Sequence, residues 1–217
     1  MGFDEVACQE VNAVQESSRY VYEGVHIMNV LVLYGSPRRD GSSATLVNHF
    51  LQGLNSSGNN TVTEFYANDV KVKPCQGCLT CDKLGNNTCA TEDDMQQIYS
   101  AFVDANIVVW ATPMYWGYMT AQLKTILDRM EALACGPEEN WKGKTFVAII
   151  TYHYHYQSTV AFFERVTPFF GVKLHTLLYH SLGKDGRGDV HVSNCKEKLE
   201  EAFSLGKNLA AVSVKSS

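Results

Sequence analysis

From residue 29 onward, short runs of β-branched and aromatic residues alternate with stretches whose apolar positions recur every three or four residues. The runs are Asn29–Tyr34 (NVLVLY), Thr61–Tyr66 (TVTEFY), 107–111 (IVVWA), 145–151 (TFVAIIT) and 172–179 (VKLHTLLY). Between them, Leu46, Val47, Phe50, Leu51 and Leu54 form one helical stripe. Leu123, Ile126, Leu127 and Met130 form a second, and Leu199, Phe203 and Leu209 a third. Short strands separated by amphipathic helices are the pattern of a parallel sheet with crossover connections. The prediction is an α/β domain, a doubly wound five-stranded parallel sheet in the order 2-1-3-4-5, over residues 28–217. The stripes are core and carry no chemistry. Residues 55–60 (NSSGNN) read as a turn, and residues 1–27, polar and weakly periodic, as an N-terminal extension.

Composition narrows the class. A chain of 217 residues can bury about 70% of its unfolded surface without a disulfide or metal. Hydrophobic residues at 45% and charged residues at 19% exclude disorder. With 18 Lys and Arg against 23 Asp and Glu, a net charge of −5 and no basic run, nucleic-acid backbone binding is not expected. The 19-residue uncharged stretch 105–123 is broken by Asn106, Thr112, Pro113, Gly117, Thr120 and Gln122, so no membrane span is predicted. The start, Met-Gly-Phe-Asp-Glu, lacks the basic flank and apolar run of a secretory signal, and seven cysteines are odd in number and unevenly spread. The expectation is a cytoplasmic protein.

Two loops stand out. The first strand runs into 35–45 (GSPRRDGSSAT) and then a helix. Free N–H groups and the positive end of the helix dipole favour an anion, the hydroxyls of Ser36, Ser42, Ser43 and Thr45 can donate, and Arg38 can pair with the charge. The plain alternative is a strand-to-helix loop with a serine cap. Neither the Walker A pattern nor G-x-G-x-x-G is present. The third strand ends in 111–118 (ATPMYWGY), dense in aromatic residues. In a doubly wound sheet of this order, ligands sit beyond the carboxyl ends of strands one and three, where both loops converge. A phosphate grip on one loop and aromatic faces on the other suit a flat heterocycle joined to a single phosphate.

The cysteines read Cys75-x2-Cys78-x2-Cys81-x7-Cys89. Three thiols at stride three with a fourth nearby match ferredoxin-type ligation of a 4Fe–4S cluster better than the longer-separated C-x-x-C pairs of zinc sites. Three readings of this loop stand side by side: a cluster, redox-active or packing thiols, and zinc. Cys8, Cys135 and Cys195 are isolated in sequence.

The segments YGSPRRDGSSATL and WATPMYWGYMTAQLKTILDR, with the alternation between them, resemble the flavodoxin-like NAD(P)H-dependent FMN reductase family. The cysteine spacing is similar to that of its iron-sulfur flavoprotein branch, although no proline follows Cys89. The resemblance implies that Ser36, Arg38, Ser42, Ser43 and Thr45 hold the FMN phosphate and that Pro113, Met114, Tyr115, Trp116 and Gly117 lie along the isoalloxazine. It implies a third flavin loop at Thr151 and Tyr152, a cluster on Cys75, Cys78, Cys81 and Cys89 near the flavin, and a homodimer or homotetramer. It gives Lys124, Asp128 and Arg129 to helix packing and oligomer contacts. The bulky run 151–156 (TYHYHY) has two readings: it shapes the substrate side, with Tyr152 and His153 as proton donors, or its aromatic residues pack under a dimer interface. A zinc site on its His-x-His lacks a third ligand.

The expected function is an FMN-dependent oxidoreductase moving electrons from NAD(P)H, or a ferredoxin-type donor, to a small-molecule acceptor such as a quinone. The flavin supplies the chemistry, so no catalytic triad is expected. The segment 183–188 (GKDGRG) has the wrong order for a second dinucleotide site, so the nicotinamide is expected to stack on the flavin and leave before the acceptor enters. Two other readings are a non-catalytic flavin electron carrier and a phosphate-ester binding protein or hydrolase using the Ser36 loop.

Overall fold

A computed structural model of the chain describes residues 27–213. The proposed extension, apart from its last residue, lies outside the described residues. Five parallel strands, β1 (Asn29–Tyr34), β2 (Thr61–Tyr66), β3 (Ile107–Tyr115), β5 (Thr145–Tyr152) and β6 (Lys173–His180), stand in the order β2-β1-β3-β5-β6. This is the expected doubly wound order, with one addition. A two-residue strand, β4 (Tyr118–Met119), pairs antiparallel with the end of β3. β3 outruns the expected strand because it goes on pairing after β1 ends opposite Ala111: Thr112 and Pro113 pair with β5 alone, and Met114 and Tyr115 with β4. A proline, which cannot donate to a ladder, is tolerated where the neighbour on one side has stopped.

The strand side chains alternate between two cores. Leu31, Leu33, Val108, Trp110, Phe146 and Ile150 face one side, with α3 (Met95–Asp104) and α4 (Ala121–Arg129) packed against it. Val30, Val32, Val109, Val147 and Ile149 face the other, beneath α1 (Ser42–Leu54) and α7 (Lys196–Ser213). Three short or unforeseen helices complete the chain: α2 (Thr80–Leu84), α5 (Glu131–Ala134) and α6 (Gln157–Phe169). Helix α6 escapes a reading for apolar stripes because its buried face is Thr159, Phe163 and Thr167, two of them polar.

The third stripe is completed by the structure. Leu199 and Leu209 are half-buried against the core, Phe203 is half-buried outside it, and the fully buried face of α7 is Ala202, Gly206 and Ala210. Small residues at this spacing let α7 lie directly on the backbone of α1. A Cβ on Gly206 would stand 2.0 Å from the Phe50 carbonyl oxygen, and one on Gly53 would stand 1.9 Å from that of Phe203. Because both obstructions are backbone, Gly206→Ala is expected to force the helices apart and cost about 1–3 kcal/mol of stability. Urea unfolding would measure it, and a change below about 0.5 kcal/mol would contradict the close-approach account. No helix among the described residues is long and apolar enough to cross a membrane.

Candidate active site at the carboxyl edge of the sheet

Four loops leave the carboxyl ends of the strands and enclose a cavity of about 640 Å³. Its wall includes Arg38 and Ser42 from the β1–α1 connection, and residues 113–117 from the β3–β4 hairpin. Thr151, Tyr152, His153, Tyr154 and His155 follow from β5, and Ser181 and Asp189 from the connection after β6. The volume lies within the range of small-molecule sites.

Helix α1 begins with Gly41 in the capping position and makes no side-chain cap, which removes the serine-cap alternative. The first intrahelical acceptor serves Thr45, whose N–H bonds the Gly41 carbonyl at 3.0 Å. The N–H groups of Ser42, Ser43 and Ala44 precede it and have no acceptor within the helix. Ser42 lines the cavity, and its hydroxyl oxygen accepts from the Val192 N–H at 3.1 Å, leaving its proton to donate. Ser36 is buried behind Arg38 and accepts from that residue's N–H at 3.1 Å. Ser43 is buried and Thr45 donates to Gly41, so neither hydroxyl is a wall of the cavity.

At the far end the β3–β4 hairpin turns through Trp116 and Gly117, with φ of 51° and 80°. Two central residues at positive φ are the twist-matched hairpin turn, and Trp116 holds a conformation that costs an ordinary side chain energy. The Ser158 hydroxyl donates to the Gly117 carbonyl at 2.6 Å, fixing the turn from α6. Replacing Trp116 by glycine is therefore expected to leave the fold intact or stabilise it by up to about 1 kcal/mol, read as thermal midpoint. Tyr115 and Tyr154 are exposed, Trp116 fully so. Tyr152 stacks obliquely on Tyr156 and His180, and its phenol is pushed up by burial and then by Tyr156, so it stays protonated.

Asp189 was not legible as a site residue. Its carboxylate accepts from Arg38 at 3.3 Å on one oxygen and contacts His153 Nε2 at 3.2 Å on the other. Burial pushes the carboxyl up, but hydrogen bonds from Ser181 and His153 and the Arg38 charge outweigh it and hold Asp189 below the ordinary aspartate value. The only signal in the sequence is an acidic residue directly after the glycine-rich turn 183–188.

None of the four loop cysteines lines this cavity. Cys75 and Cys78 are exposed, and Cys78 contacts the Thr80 hydroxyl at 3.3 Å. Cys81 lies instead against Cys135, which burial and then Cys81 push up to about 11; Cys135 is isolated in sequence but not in space. Among the described residues no three His, Cys, Asp or Glu side chains gather in a metal-holding group. Arg129 serves packing as expected but is too buried to be an oligomer contact, and it ties the loop's two ends together. Its guanidinium donates to the Lys73 carbonyl at 2.8 Å, the Thr91 carbonyl at 3.1 Å and the Asp93 carboxylate at 2.8 Å. Lys124 pairs with Asp128 on the exposed face of α4.

A doubly wound sheet with an anion-ready helix start and an aromatic wall at its switch point defines a flavodoxin-like protein. More particularly, the chain belongs to the NADPH-dependent FMN reductase family, whose model matches residues 28–181. It is 33% identical over 125 residues to an iron-sulfur flavoprotein of Archaeoglobus fulgidus, a match covering 58% of this chain and 54% of that one. An iron-sulfur flavoprotein of Methanocaldococcus jannaschii is 34% identical over 110 residues, 50% of this chain and 55% of that one. The chain thus matches little more than half the length of these relatives. Among solved structures, an NAD(P)H:quinone oxidoreductase from Methanothermobacter marburgensis shares the fold with a TM-score of 0.65 and 17% identity, over 85% of this chain and 96% of that one. An FMN-dependent NADH-azoreductase from Bacillus anthracis, in complex with FMN, gives a TM-score of 0.58 and 17% identity, over 86% and 99%.

Proposed function

We propose that the cavity binds FMN and that the chain transfers electrons from NAD(P)H to a small-molecule acceptor such as a quinone. The carrying observation is the cavity's polarity: Arg38 and the uncapped start of α1 at one end, aromatic side chains at the other. These residues fit the group. Arg38, the Ser42 hydroxyl and the first N–H groups of α1 would take its phosphate, with Ser36 setting the loop behind them. Pro113, Met114, Tyr115, Trp116, Gly117, Thr151 and Tyr152 would flank its ring. Bound FMN supplies the two-electron chemistry; the chain orients it, limits water and offers protons from Tyr152 and His153.

The four loop thiols have the donor chemistry of a 4Fe–4S cluster, and relatives are named iron-sulfur flavoproteins, but among the described residues these thiols are not gathered into a metal-holding group. No electron step is assigned to them. Protein isolated without oxygen should show about four irons per chain if the loop closes on a cluster, and less than about one if the cysteines act as thiols.

The test of the function is an anaerobic spectrum. Protein loaded with FMN should bleach on adding NAD(P)H and recover colour on adding benzoquinone. Protein that takes up no FMN would leave the phosphate-ester reading, and bound FMN that NAD(P)H does not bleach would leave the electron-carrier reading. We further infer a homo-oligomer, because Trp116, Tyr115 and Tyr154 form an exposed aromatic rim at the cavity mouth. A monomeric mass at micromolar concentration with FMN bound would contradict it.

A further inference from the structure

The connection after β6 is built to deliver one carboxylate. Leu182 and Asp189 form an antiparallel bridge, the Val190 N–H bonds the Ser181 carbonyl at 2.6 Å, and the Gly183 N–H bonds the Gly188 carbonyl at 3.3 Å. The glycines allow this closure. Gly186 and Gly188 hold φ of 74° and 69°, and a Cβ on Gly183 would stand 2.2 Å from the Arg187 carbonyl oxygen. The Tyr179 hydroxyl donates to the Val190 carbonyl at 2.9 Å, and the Val192 N–H bonds Ser42, so both sides of the ladder are pinned. The segment that fails as a dinucleotide fingerprint is thus a rigid arm with Asp189 at its base.

His153 is held twice. Asp189 takes its Nε2 at 3.2 Å, and His180 Nε2 bonds its backbone carbonyl at 3.0 Å. The charged or titratable groups around it are Asp189 from the arm, Arg38 sharing that carboxylate from the β1–α1 loop, His180 from β6, and Tyr154 edge-on at 6.4 Å. An imidazole that gives its Nε2–H to a carboxylate keeps Nδ1 for other chemistry.

We propose that Asp189 is a positioning residue that fixes the His153 tautomer, so that Nδ1 can protonate an acceptor as it is reduced. The proposal rests on the FMN reading above, which supplies the electrons. In the step, the Nδ1–H bond of the imidazolium breaks, its electron pair stays on nitrogen, and an O–H or N–H bond forms on the acceptor. The Nε2–H bond stays intact and hydrogen-bonded to the Asp189 carboxylate, leaving a neutral imidazole, and a solvent proton then restores Nδ1–H. The acceptor class is therefore one that takes up protons on reduction, such as a quinone or an azo compound, rather than a metal ion.

Asp189→Asn keeps the shape of the arm but offers a carboxamide that can donate as well as accept. In FMN-loaded protein already bleached by NAD(P)H, the rate of reoxidation by benzoquinone should fall about tenfold or more in Asp189→Asn and in His153→Gln. The double variant should lose no more than either single one. In protein without FMN at alkaline pH, nitrogen-15 NMR should find the His153 proton on Nε2, and in Asp189→Asn distributed over both nitrogens. Asp189→Ala provides the same readings should the carboxamide mimic the carboxylate. Losses that multiply in the double variant, or an unchanged tautomer in both Asp189 variants, would overturn the proposal. A wild-type protein that neither binds FMN nor bleaches would instead overturn the FMN reading, and the NMR result would stand apart from it.

Discussion

Arg129→Met is expected to lower the free energy of unfolding by about 3–5 kcal/mol, because it leaves the buried Asp93 carboxylate without its cation. The two side chains are 1% and 5% exposed, and the pair is met by hydrogen bonds from the N–H groups of Lys73 and Met95 at 2.9 and 3.1 Å. Burial pushes the Asp93 carboxyl up, yet the Arg129 hydrogen bonds and those two N–H groups outweigh it and hold the group below the ordinary value. A carboxylate held lower in the folded state than in the unfolded chain adds stability that is present above about pH 4 and disappears as pH falls through the folded value. Denaturant unfolding across the acid range should therefore show the wild type losing an advantage that Arg129→Met never has. Parallel wild-type and variant curves displaced by less than about 1 kcal/mol would rule this out. Asp93→Asn with Arg129→Met should recover part of the loss, since the uncompensated charge is then gone.

Arg38→Ala is expected to weaken FMN binding by about 10- to 150-fold, the equivalent of about 1.5–3 kcal/mol for a hydrogen bond to a charged group. The guanidinium is more than half exposed and already shares Asp189, so its removal disturbs no core packing. The fold should survive unchanged while Asp189 loses one partner and keeps its contact with His153. Titration of the variant with FMN by fluorescence quenching reads the affinity. Equal affinity in wild type and variant would place the phosphate elsewhere.

Much of this was legible because the relevant signals are local. Strand runs such as NVLVLY and TVTEFY read directly as β1 and β2, and the hydroxyl-rich loop after β1 announced a helix start able to take an anion. Within that loop, however, composition could not separate Ser42, which reaches the cavity, from Ser43 and Thr45, which turn to the helix. Their spacing decides the matter only once the helix direction is known. The third helical stripe found only the margin of its contact, Leu199 and Leu209, because close packing prefers small residues: Ala202, Gly206 and Ala210 carry little hydrophobic weight yet form its buried centre. The partners of Arg129, and Asp189 altogether, were missed for a different reason. Each acts across a long sequence separation, Arg129 on Lys73 and Asp93, Asp189 on Arg38 and His153, and no short motif records such pairings. The cysteine spacing was plain in sequence, whereas the neighbour of Cys81 is Cys135, more than fifty residues away.

A segment whose two ends meet on one buried cation is an exchangeable part. Lys73 before the cysteines and Thr91 after them both bond Arg129, so the span between is a closed insert seated in a fixed socket. Doubling the length of such an insert costs only about 0.6 kcal/mol in closure entropy. Length changes in its exposed part, around Cys75 and Cys78, therefore leave the sheet, the cavity and its helix entrance in place, while Cys81 and Asn87 stay seated on Cys135 and Asn140. The architecture separates two mechanical units: the sheet edge with its cavity, and beside it a cysteine loop tied to the platform through Arg129.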